Sequence, residues 1–286
     1  MGWNALPRLE GWRRWGASGP LLHLAPANGF PPGAYRQLAE ALAVRARVVA
    51  APLLPLRPGT DPRNVRSWTD VAEDLGRQLR EAGLEDLVGI GHSLGAVVTA
   101  LAATADPGLF RGLVLVDPVL FTGRRRLLWS VMQRAGLAHH FRLARGARER
   151  RDRWECRDDV LKAWRRRRVF ASWAPGVLED YVIEGTREAE GGGVELVFPR
   201  EWEARLFQVT PPDPWSAIRR IGVPVLAVRG EGSDTFLPEA ARRLGRELPG
   251  ARVVEVPGTG HFVPMERPRE LAEIILDFVN GLDDPA

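Results

Sequence analysis

Short runs rich in Val, Leu and Ile recur along the chain, and segments with helical spacing of apolar residues separate most of them. A strand that is covered on both faces needs apolar side chains at nearly every position, which is the pattern of these runs. Parallel strands also need long connections, which are usually helices. The sequence therefore predicts an α/β fold in which helices cover both faces of a mostly parallel sheet. The predicted strands are 20–25, 46–51, 84–91, 112–119, 223–230 and 251–258.

Amphipathic helices are predicted between or after most of these strands. Ser67 is the expected N-cap of one of them, and Gly83 is expected to end it. The predicted helices are 34–43, 67–83, 94–103, 238–247 and 270–282.

The alternation of strands and helices stops between residues 119 and 215. That segment contains helical fragments rich in arginine, a hairpin pattern near 194–198 and six of the ten tryptophans. We therefore expect an α/β core formed by 1–118 and 216–286, interrupted by a mainly helical cap insertion at 119–215. The tryptophans are expected to form a small core within the cap. Their apolar character favours a small-molecule substrate with an acyl or aromatic part.

The segment LVGIGHSLGAVV, at 87–98, leads from a predicted strand into a predicted helix and contains GHSLG at 91–95. This G-x-S-x-G pattern is typical of a sharp turn that presents a serine hydroxyl at the edge of the sheet. Glycines suit such a turn because close backbone packing leaves no room for a Cβ atom. The N-terminus of the following helix favours negative charge near Ser93. We expect His92 to pack or form hydrogen bonds rather than to act as a base.

The motif alone leaves two other interpretations open. Gly89, Gly91 and Gly95 come close to a dinucleotide-binding fingerprint. That interpretation is disfavoured because the spacing is off by one residue and the turn does not belong to the first strand–helix unit. The other interpretation is a glycine-rich turn that only packs, since short patterns recur by chance.

A serine nucleophile needs a general base, and the base needs a carboxylate that orients it. The loop after strand 223–230 contains Asp234, and the loop after strand 251–258 contains His261. Because both loops leave the same edge of a parallel sheet as Ser93 does, we expect the three side chains to converge. The order Ser, Asp, His also fits a hydrolase with a nucleophile on a strand-to-helix turn.

Taken together, GHSLG, RGEGSD and GTGHFVPMERP resemble the α/β-hydrolase superfamily, in its lidded branch of esterase-like and lipase-like serine hydrolases. The resemblance covers roughly residues 20–118 and 216–280. It implies that Ser93 is the nucleophile, that His261 is the general base and then the acid, and that Asp234 orients His261.

The resemblance leaves a second candidate for the orienting carboxylate. Asp117 ends the predicted strand 112–119, and some members of the superfamily carry the carboxylate there. Asp234 is preferred because it lies where the pattern normally places this residue. In that case Asp117 has a structural role.

The resemblance also implies an oxyanion hole of two backbone N–H groups. One belongs to Leu94, the residue after the nucleophile. The other comes from the loop after strand 20–25, which usually contains His-Gly and here contains Asn28-Gly29. We infer that the N–H of Phe30 is the second donor.

The predicted function is hydrolysis of a carboxylic ester or related acyl compound through an acyl-enzyme. Hydrolysis of C–C bonds, lactones or thioesters, and perhydrolysis, stay open because they use the same triad. A non-catalytic ligand receptor or scaffold on the same fold is a further alternative. A serine at position 93 argues against epoxide hydrolase and haloalkane dehalogenase chemistry, which need a carboxylate there. No cofactor is expected.

Composition limits other functions. The single cysteine, Cys156, excludes an internal disulfide and a cysteine-based zinc site. The adjacent His139 and His140 cannot face one ligand site in a helix, and no metal site is predicted. The chain has no run of about 18 apolar residues, so no membrane span is predicted, and a cytoplasmic location is expected. The oligomeric state stays open.

The charge is unevenly distributed within the predicted cap. Residues 119–170 hold 16 basic and 5 acidic side chains, whereas 171–215 hold 3 basic and 9 acidic ones. The arginine runs at 124–126 and 165–168 could be read as a nucleic-acid site. We expect instead that basic side chains of 119–170 partly form ion pairs with acidic side chains of 171–215 on a solvated surface. We predict no nucleic-acid partner.

Overall fold

The computed structural model describes residues 11–211 and 213–282. Its strands form a seven-stranded sheet and a separate three-stranded sheet. The strands are β1 (Arg13–Trp15), β2 (Leu21–Ala25), β3 (Arg47–Ala50), β4 (Leu87–His92), β5 (Phe110–Val116), β6 (Arg153–Trp154), β7 (Thr186–Glu188), β8 (Val194–Leu196), β9 (Val225–Gly230) and β10 (Arg252–Val256).

The helices lie between and after these strands. The α-helices are α1 (Arg36–Leu42), α2 (Trp68–Glu81), α3 (Leu94–Ala105), α4 (Gly123–Arg134), α5 (Arg142–Glu149), α6 (Arg157–Arg165), α7 (Val177–Gly185), α8 (Arg200–Gln208), α9 (Trp215–Ile218), α10 (Pro238–Glu247), α11 (Val263–Glu266) and α12 (Pro268–Gly281). Short 3-10 helices lie at Pro32–Tyr35, Leu54–Leu56, Pro62–Asn64, Leu137–His140 and Arg168–Phe170.

The large sheet has the strand order β1-β3-β2-β4-β5-β9-β10. The edge strand β1 pairs antiparallel with β3, and the other neighbouring strands are parallel. Side chains of successive residues alternate between two buried apolar clusters, one on each face of the sheet. Helices α2, α3 and α10 contribute to one cluster, and α1 and α12 contribute to the other. The predicted α/β fold is confirmed.

The predicted strands and helices are close to those observed. Ser67 caps α2, because its side chain accepts a hydrogen bond from the Thr69 N–H and Asp70 accepts one from the Ser67 N–H. Gly83 follows the helix with φ +64°, a conformation that suits glycine. Strand β1 is not among the predicted strands, because Arg13-Arg14-Trp15 is a short polar edge strand with no apolar run.

Residues 119–215, called the insertion below, connect β5 to β9, which are neighbours in the large sheet. The insertion contains α4 to α8 and the three-stranded antiparallel sheet of order β6-β8-β7. The expected hairpin is the β7–β8 pair, which turns at Gly191–Gly193. A small sheet therefore accompanies the predicted helices.

Tryptophans of the insertion pack against other aromatic residues of the insertion and also against the α/β core. The contacts within the insertion include Trp129 with Phe141, Trp154 with Trp164 and Trp164 with Phe170. Trp154, Trp164 and Trp173 belong to the same buried cluster as α1 and α12. Trp202 and Trp215 belong to the cluster on the other face of the large sheet. The aromatic contacts within the insertion agree with the expected small core, which is continuous with the buried clusters of the α/β core.

Several arginines of 119–170 pair with carboxylates of 171–215, as the charge distribution predicts. These ion pairs are Arg126–Asp213, Arg150–Glu203, Arg153–Glu195, Arg157–Glu188 and Arg165–Glu179. Most of them are well exposed, so each contributes little to the free energy of unfolding.

Within the described parts of the chain, no helix has both the length and the apolar character needed to cross a bilayer.

His23, in β2, is fully buried, and burial lowers its pKa to about 3. Its Nε2 accepts a hydrogen bond from the Ala51 N–H at 3.3 Å. The unfolded chain therefore takes up a proton near pH 6.5, before the folded protein does. Above pH 6.5 the neutral His23 makes its full contribution to the free energy of unfolding. This contribution decreases as the pH falls from 6.5 toward 3.

We predict that His23→Gln makes unfolding less sensitive to acid, because a glutamine amide can accept the same hydrogen bond without titrating. Below pH 6.5 the free energy of unfolding of the wild type should fall more steeply than that of the variant, by up to about 1.4 kcal/mol per pH unit. Urea unfolding of both proteins between neutral pH and pH about 4.5 measures the two slopes. Equal slopes would show that the pKa of His23 does not differ between the folded and unfolded states.

Candidate active site

Ser93 lies in the sharp turn between β4 and α3, with φ 56° and ψ −113°. Its N–H donates to the Val116 carbonyl at 2.9 Å, which ties the turn to the end of β5. Among the residues described, three non-glycine residues have positive φ, and they are Asp86, Ser93 and Asp117. Ser93 and Asp117 both lie in this site, so the strained backbone occurs at two of its polar residues.

The glycines on either side of Ser93 permit the close packing of this turn. A Cβ atom on Gly91 would lie 2.4 Å from the Gly95 carbonyl oxygen. A Cβ atom on Gly95 would lie 2.1 Å from the Ala25 carbonyl oxygen, at the end of β2. Both distances are far below van der Waals contact with rigid backbone. The steric reason inferred from the sequence therefore applies at both positions.

His261 follows β10 and connects two other side chains of the site. Its Nε2 lies 3.0 Å from Ser93 Oγ, and its Nδ1 lies 2.8 Å from Asp117 Oδ1. Because a carboxylate only accepts, Nδ1 carries the hydrogen, and Nε2 can accept the Ser93 hydroxyl hydrogen. The loop before His261 is held by Glu266, whose carboxylate accepts the Gly260 N–H at 3.1 Å.

Asp117 follows β5, and its side chain is fully buried. Besides His261, its carboxylate accepts hydrogen bonds from Ser233 Oγ at 2.5 Å, the Gly230 N–H at 3.0 Å and the Phe236 N–H at 3.3 Å. A buried carboxylate loses its hydration, so it needs such donors to stay in place. These four contacts hold the Asp117 carboxylate against the imidazole.

The structure does not show the expected contact between His261 and Asp234. Asp234 is exposed, and its carboxylate accepts from Thr235 Oγ1 at 3.2 Å. The loop after β9 instead turns Ser233 inward, toward Asp117. The carboxylate beside His261 is thus Asp117, the second candidate from the sequence, because β5 lies directly beside β4 in the sheet.

The two expected oxyanion donors have different surroundings. Leu94 is the first residue of α3, where the N–H has no acceptor within the helix. The Phe30 N–H donates to the Ala27 carbonyl at 3.2 Å, in a turn where Gly29 has φ +86°. Phe30 was expected to be a free donor, and the turn explains why its N–H already has an acceptor.

The loop that contains Phe30 also contacts the insertion. The Asn28 side-chain amide donates to the Glu203 carbonyl at 3.0 Å, and the Tyr181 hydroxyl donates to the Gly29 carbonyl at 3.0 Å. The Phe30 ring stacks on Tyr181 with centroids 4.6 Å apart. The insertion therefore fixes the conformation of this loop.

His92 links the same loop to His261. Its Nε2 lies 3.0 Å from the His261 carbonyl oxygen and must donate, so its Nδ1 accepts from the Tyr35 hydroxyl at 2.7 Å. The Tyr35 oxygen in turn accepts the Ala27 N–H at 2.9 Å. Burial, together with the neighbouring His261, holds the pKa of His92 well below its usual value. His92 is thus a neutral hydrogen-bonding residue, and its predicted hydrogen-bonding role agrees with these contacts.

Aromatic side chains form an apolar wall beside His261. Phe262 has its ring centroid 5.1 Å from His261 and 5.7 Å from Trp173. Phe30 lies 5.8 Å from Phe262 and 6.0 Å from Trp173. Ser93 itself is only 8% exposed. These rings therefore place aromatic surface next to His261.

Metal-ligating residues do not cluster in the described parts of the chain. No group of three or more His, Cys, Asp or Glu side chains with suitable geometry occurs there. Cys156 is exposed at the start of α6, and the rings of His139 and His140 contact each other.

Comparison with known sequences identifies relatives along most of the chain. The sequence pattern of the Alpha/beta hydrolase family matches residues 21–274. The chain is 28% identical over 231 residues to the abhydrolase domain-containing protein AFT2-1 of Alternaria alternata, covering 68% of this chain and 83% of the relative. It is 27% identical over 215 residues to a 2-(acetamidomethylene)succinate hydrolase of Mesorhizobium japonicum, covering 74% and 70%.

Comparison with solved structures identifies the same fold. The crystal structure of E-2-(acetamidomethylene)succinate hydrolase superposes with a TM-score of 0.75, at 23% identity and with 94% of both chains covered. A thermophilic esterase from Thermogutta terrifontis, solved with malate bound, gives a TM-score of 0.70 at 20% identity and covers 96% of this chain and 93% of the esterase. At these identities the likeness shows the fold.

We predict opposite effects for Gly→Ala substitutions in two helices. Gly95→Ala should lower the free energy of unfolding by about 1–3 kcal/mol or more, because the new Cβ meets the backbone of β2. Gly245→Ala, in α10, has open space around the new Cβ and should raise it by about 0.5–1 kcal/mol.

Urea unfolding of the two variants beside the wild type provides the test. Gly245→Ala is the matched control, since it adds the same methyl group to a helical glycine at a position with open space. A Gly95→Ala variant as stable as Gly245→Ala would contradict the packing described here.

Proposed function

This chain belongs to the alpha/beta hydrolase family, and from that premise we propose that it is a serine hydrolase acting on a carboxylic ester or a related acyl compound. The observation that supports the proposal most is the hydrogen-bonded chain from Ser93 through His261 to Asp117. A hydroxyl, an imidazole and a buried carboxylate in this order form the arrangement that activates a serine nucleophile.

In the proposed first step, Ser93 Oγ attacks the carbonyl carbon while His261 Nε2 takes the hydroxyl proton. His261 is then an imidazolium, and the Asp117 carboxylate at 2.8 Å from Nδ1 stabilises its charge. Asp117, rather than Asp234, is therefore our proposed orienting residue. Ser233 and the two backbone donors keep that carboxylate from turning away.

The negative charge that develops on the carbonyl oxygen needs donors. The Leu94 N–H, at the N-terminus of α3, is the proposed first donor, since that helix end favours an anion. The Phe30 N–H is the proposed second donor, and it must share or exchange its 3.2 Å contact with the Ala27 carbonyl. Hydrogen bonds of Asn28 and Gly29 with Glu203 and Tyr181 of the insertion hold the loop that carries Phe30.

The remaining steps return the site to its starting state. His261 gives its proton to the departing alkoxide, the C–O bond of the ester breaks, and the acyl group stays on Ser93. A water molecule then attacks the acyl carbon while His261 takes its proton, and collapse of the intermediate releases the acid and restores the Ser93 hydroxyl.

The surroundings of Ser93 support a substrate with an apolar part. Phe30, Trp173 and Phe262 supply an aromatic wall, and we propose that the insertion acts as a cap over the site. Solved structures with this fold include esterases and an enol-lactonase. Their substrates belong to those proteins, and for this chain they define the compounds to test first.

We predict that Ser93→Ala lowers the turnover of p-nitrophenyl esters by at least about 10³-fold, because the variant lacks the nucleophile. The wild type should show a burst of nitrophenol equal to the enzyme concentration, followed by steady turnover. A stopped-flow assay with esters of increasing acyl length measures both phases. Ser216→Ala is the control, since Ser216 is an exposed residue of α9 away from this network.

Two outcomes would contradict the proposal. Turnover by Ser93→Ala at the rate of the wild type would exclude Ser93 as nucleophile. A single stoichiometric burst without turnover, for every ester, lactone and thioester tested, would indicate a ligand receptor rather than a hydrolase.

A further inference from the structure

Helix α4 carries an apolar face that points away from the protein. Arg124, Leu127, Leu128 and Val131 are spaced i, i+3, i+4, i+7 and therefore lie along one side of the helix. Leu127 is 66% exposed and Val131 is 53% exposed. An amphipathic helix on a folded protein normally turns its apolar face inward. Here Leu127, Leu128 and Val131 lie on the outside.

The opposite face of α4 is anchored, so this orientation is imposed by packing. Trp129 is buried, and its Nε1 donates to the Thr210 carbonyl at 3.1 Å. The Gln133 amide donates to the Thr210 carbonyl at 2.6 Å. Arg126 forms an ion pair with Asp213 at 3.2 Å. With its inner face fixed at these points, α4 cannot rotate to bury Leu127 and Val131.

The apolar surface continues into the next segment. Leu137 and Leu143 are also exposed, so five of the nine exposed large apolar side chains in the described residues lie within 127–143. Isolated apolar side chains are common on protein surfaces, but a concentration of this kind indicates an interaction site.

The charged side chains of this segment are all arginines. Residues 123–148 contain seven arginines and no aspartate or glutamate. In the described residues, Arg124, Arg134, Arg142, Arg145 and Arg148 form no ion pair, whereas arginines further along the insertion do, such as Arg153 with Glu195. The segment therefore combines exposed apolar groups with unneutralised cations.

An arginine-lined cavity of about 450 Å³ adjoins the start of α4. Arg124 and Arg125 line it from α4, and Arg243 and Arg246 line it from α10, with Glu239 beside them. Arg124 thus belongs both to the exposed face of α4 and to this cavity. Arg125 donates to the Asp234 carbonyl and Arg243 pairs with Glu247, whereas Arg124 and Arg246 form no ion pair in the described residues. Guanidinium groups are suited to bind phosphate oxygens.

We propose that the apolar face of α4 and its flanking arginines form a docking surface for an anionic lipid bilayer. The leucines and Val131 would enter the boundary of the acyl chains, while Arg124 and its neighbours bind lipid phosphates. This pairing favours a lipid surface over a nucleic acid, whose phosphate backbone would leave the apolar side chains unburied. The proposal does not involve Ser93 and stands apart from the proposed hydrolase activity.

Vesicle flotation of the full chain tests the docking surface directly. Vesicles of phosphatidylcholine with about 30% phosphatidylglycerol should bind the protein at least about tenfold more tightly than pure phosphatidylcholine vesicles. Raising the salt from about 0.1 M to about 0.5 M should weaken this binding, because the arginine–phosphate attraction is screened. Ser93→Ala should bind like the wild type, which separates this result from any loss of hydrolase activity.

Two groups of substitutions remove the two parts of the surface. Leu127→Gln with Leu128→Gln and Val131→Gln removes the apolar face and keeps good helix formers, and it should weaken binding at least about tenfold. Arg124→Gln with Arg134→Gln should weaken it by a similar factor and reduce its salt dependence. The matched control is Val44→Gln with Arg269→Gln, two exposed residues beside α1 and in α12. It should bind like the wild type.

Several results would overturn the proposal. Equal binding to both vesicle types, or no binding to either, would exclude an anionic bilayer. Release of bound protein by millimolar glycerol phosphate would indicate a site for a soluble phosphate. Concentration-dependent dimerisation that the leucine and valine substitutions abolish, without vesicle binding, would identify the surface as an interface between two copies of the chain.

Discussion

The rest of the site depends on the hydrogen bonds that the buried carboxylate of Asp117 accepts. Its donors come from β9, from the loop after it and from the loop after β10, so they meet only when β5, β9 and β10 are adjacent. Arg229 strengthens this arrangement, since its buried guanidinium donates to the Phe236 and Glu231 carbonyls. The sheet order thus determines where the imidazole of His261 lies.

The insertion takes part in the same arrangement from the other side. Tyr181 and Glu203 hold the loop that carries Phe30, and Tyr35 and His92 connect that loop to the backbone of His261. Movement of the insertion would therefore change the position of a proposed oxyanion donor. The insertion and the proposed catalytic residues are thus connected through hydrogen bonds rather than merely adjacent.

The sequence predicted what depends on local pattern and steric limits. Continuous apolar runs indicated the sheet, and the glycines around Ser93 indicated the turn, because both patterns have one dominant structural cause. The choice between Asp117 and Asp234 depended on how one loop turns, and neighbouring polar residues in RGEGSD gave no signal for Ser233 pointing inward. The turn that occupies the Phe30 N–H, the polar strand β1 and the packing of the tryptophans against the core likewise depend on tertiary contacts.

The most direct test of the account compares Asp117→Asn with Asp234→Asn in the turnover of a p-nitrophenyl ester, with folding of both variants verified by circular dichroism. If Asp117 orients His261, Asp117→Asn should lower turnover about 10³–10⁴-fold, and Asp234→Asn should leave it essentially unchanged. Loss of turnover in Asp234→Asn together with full activity in Asp117→Asn would contradict the account.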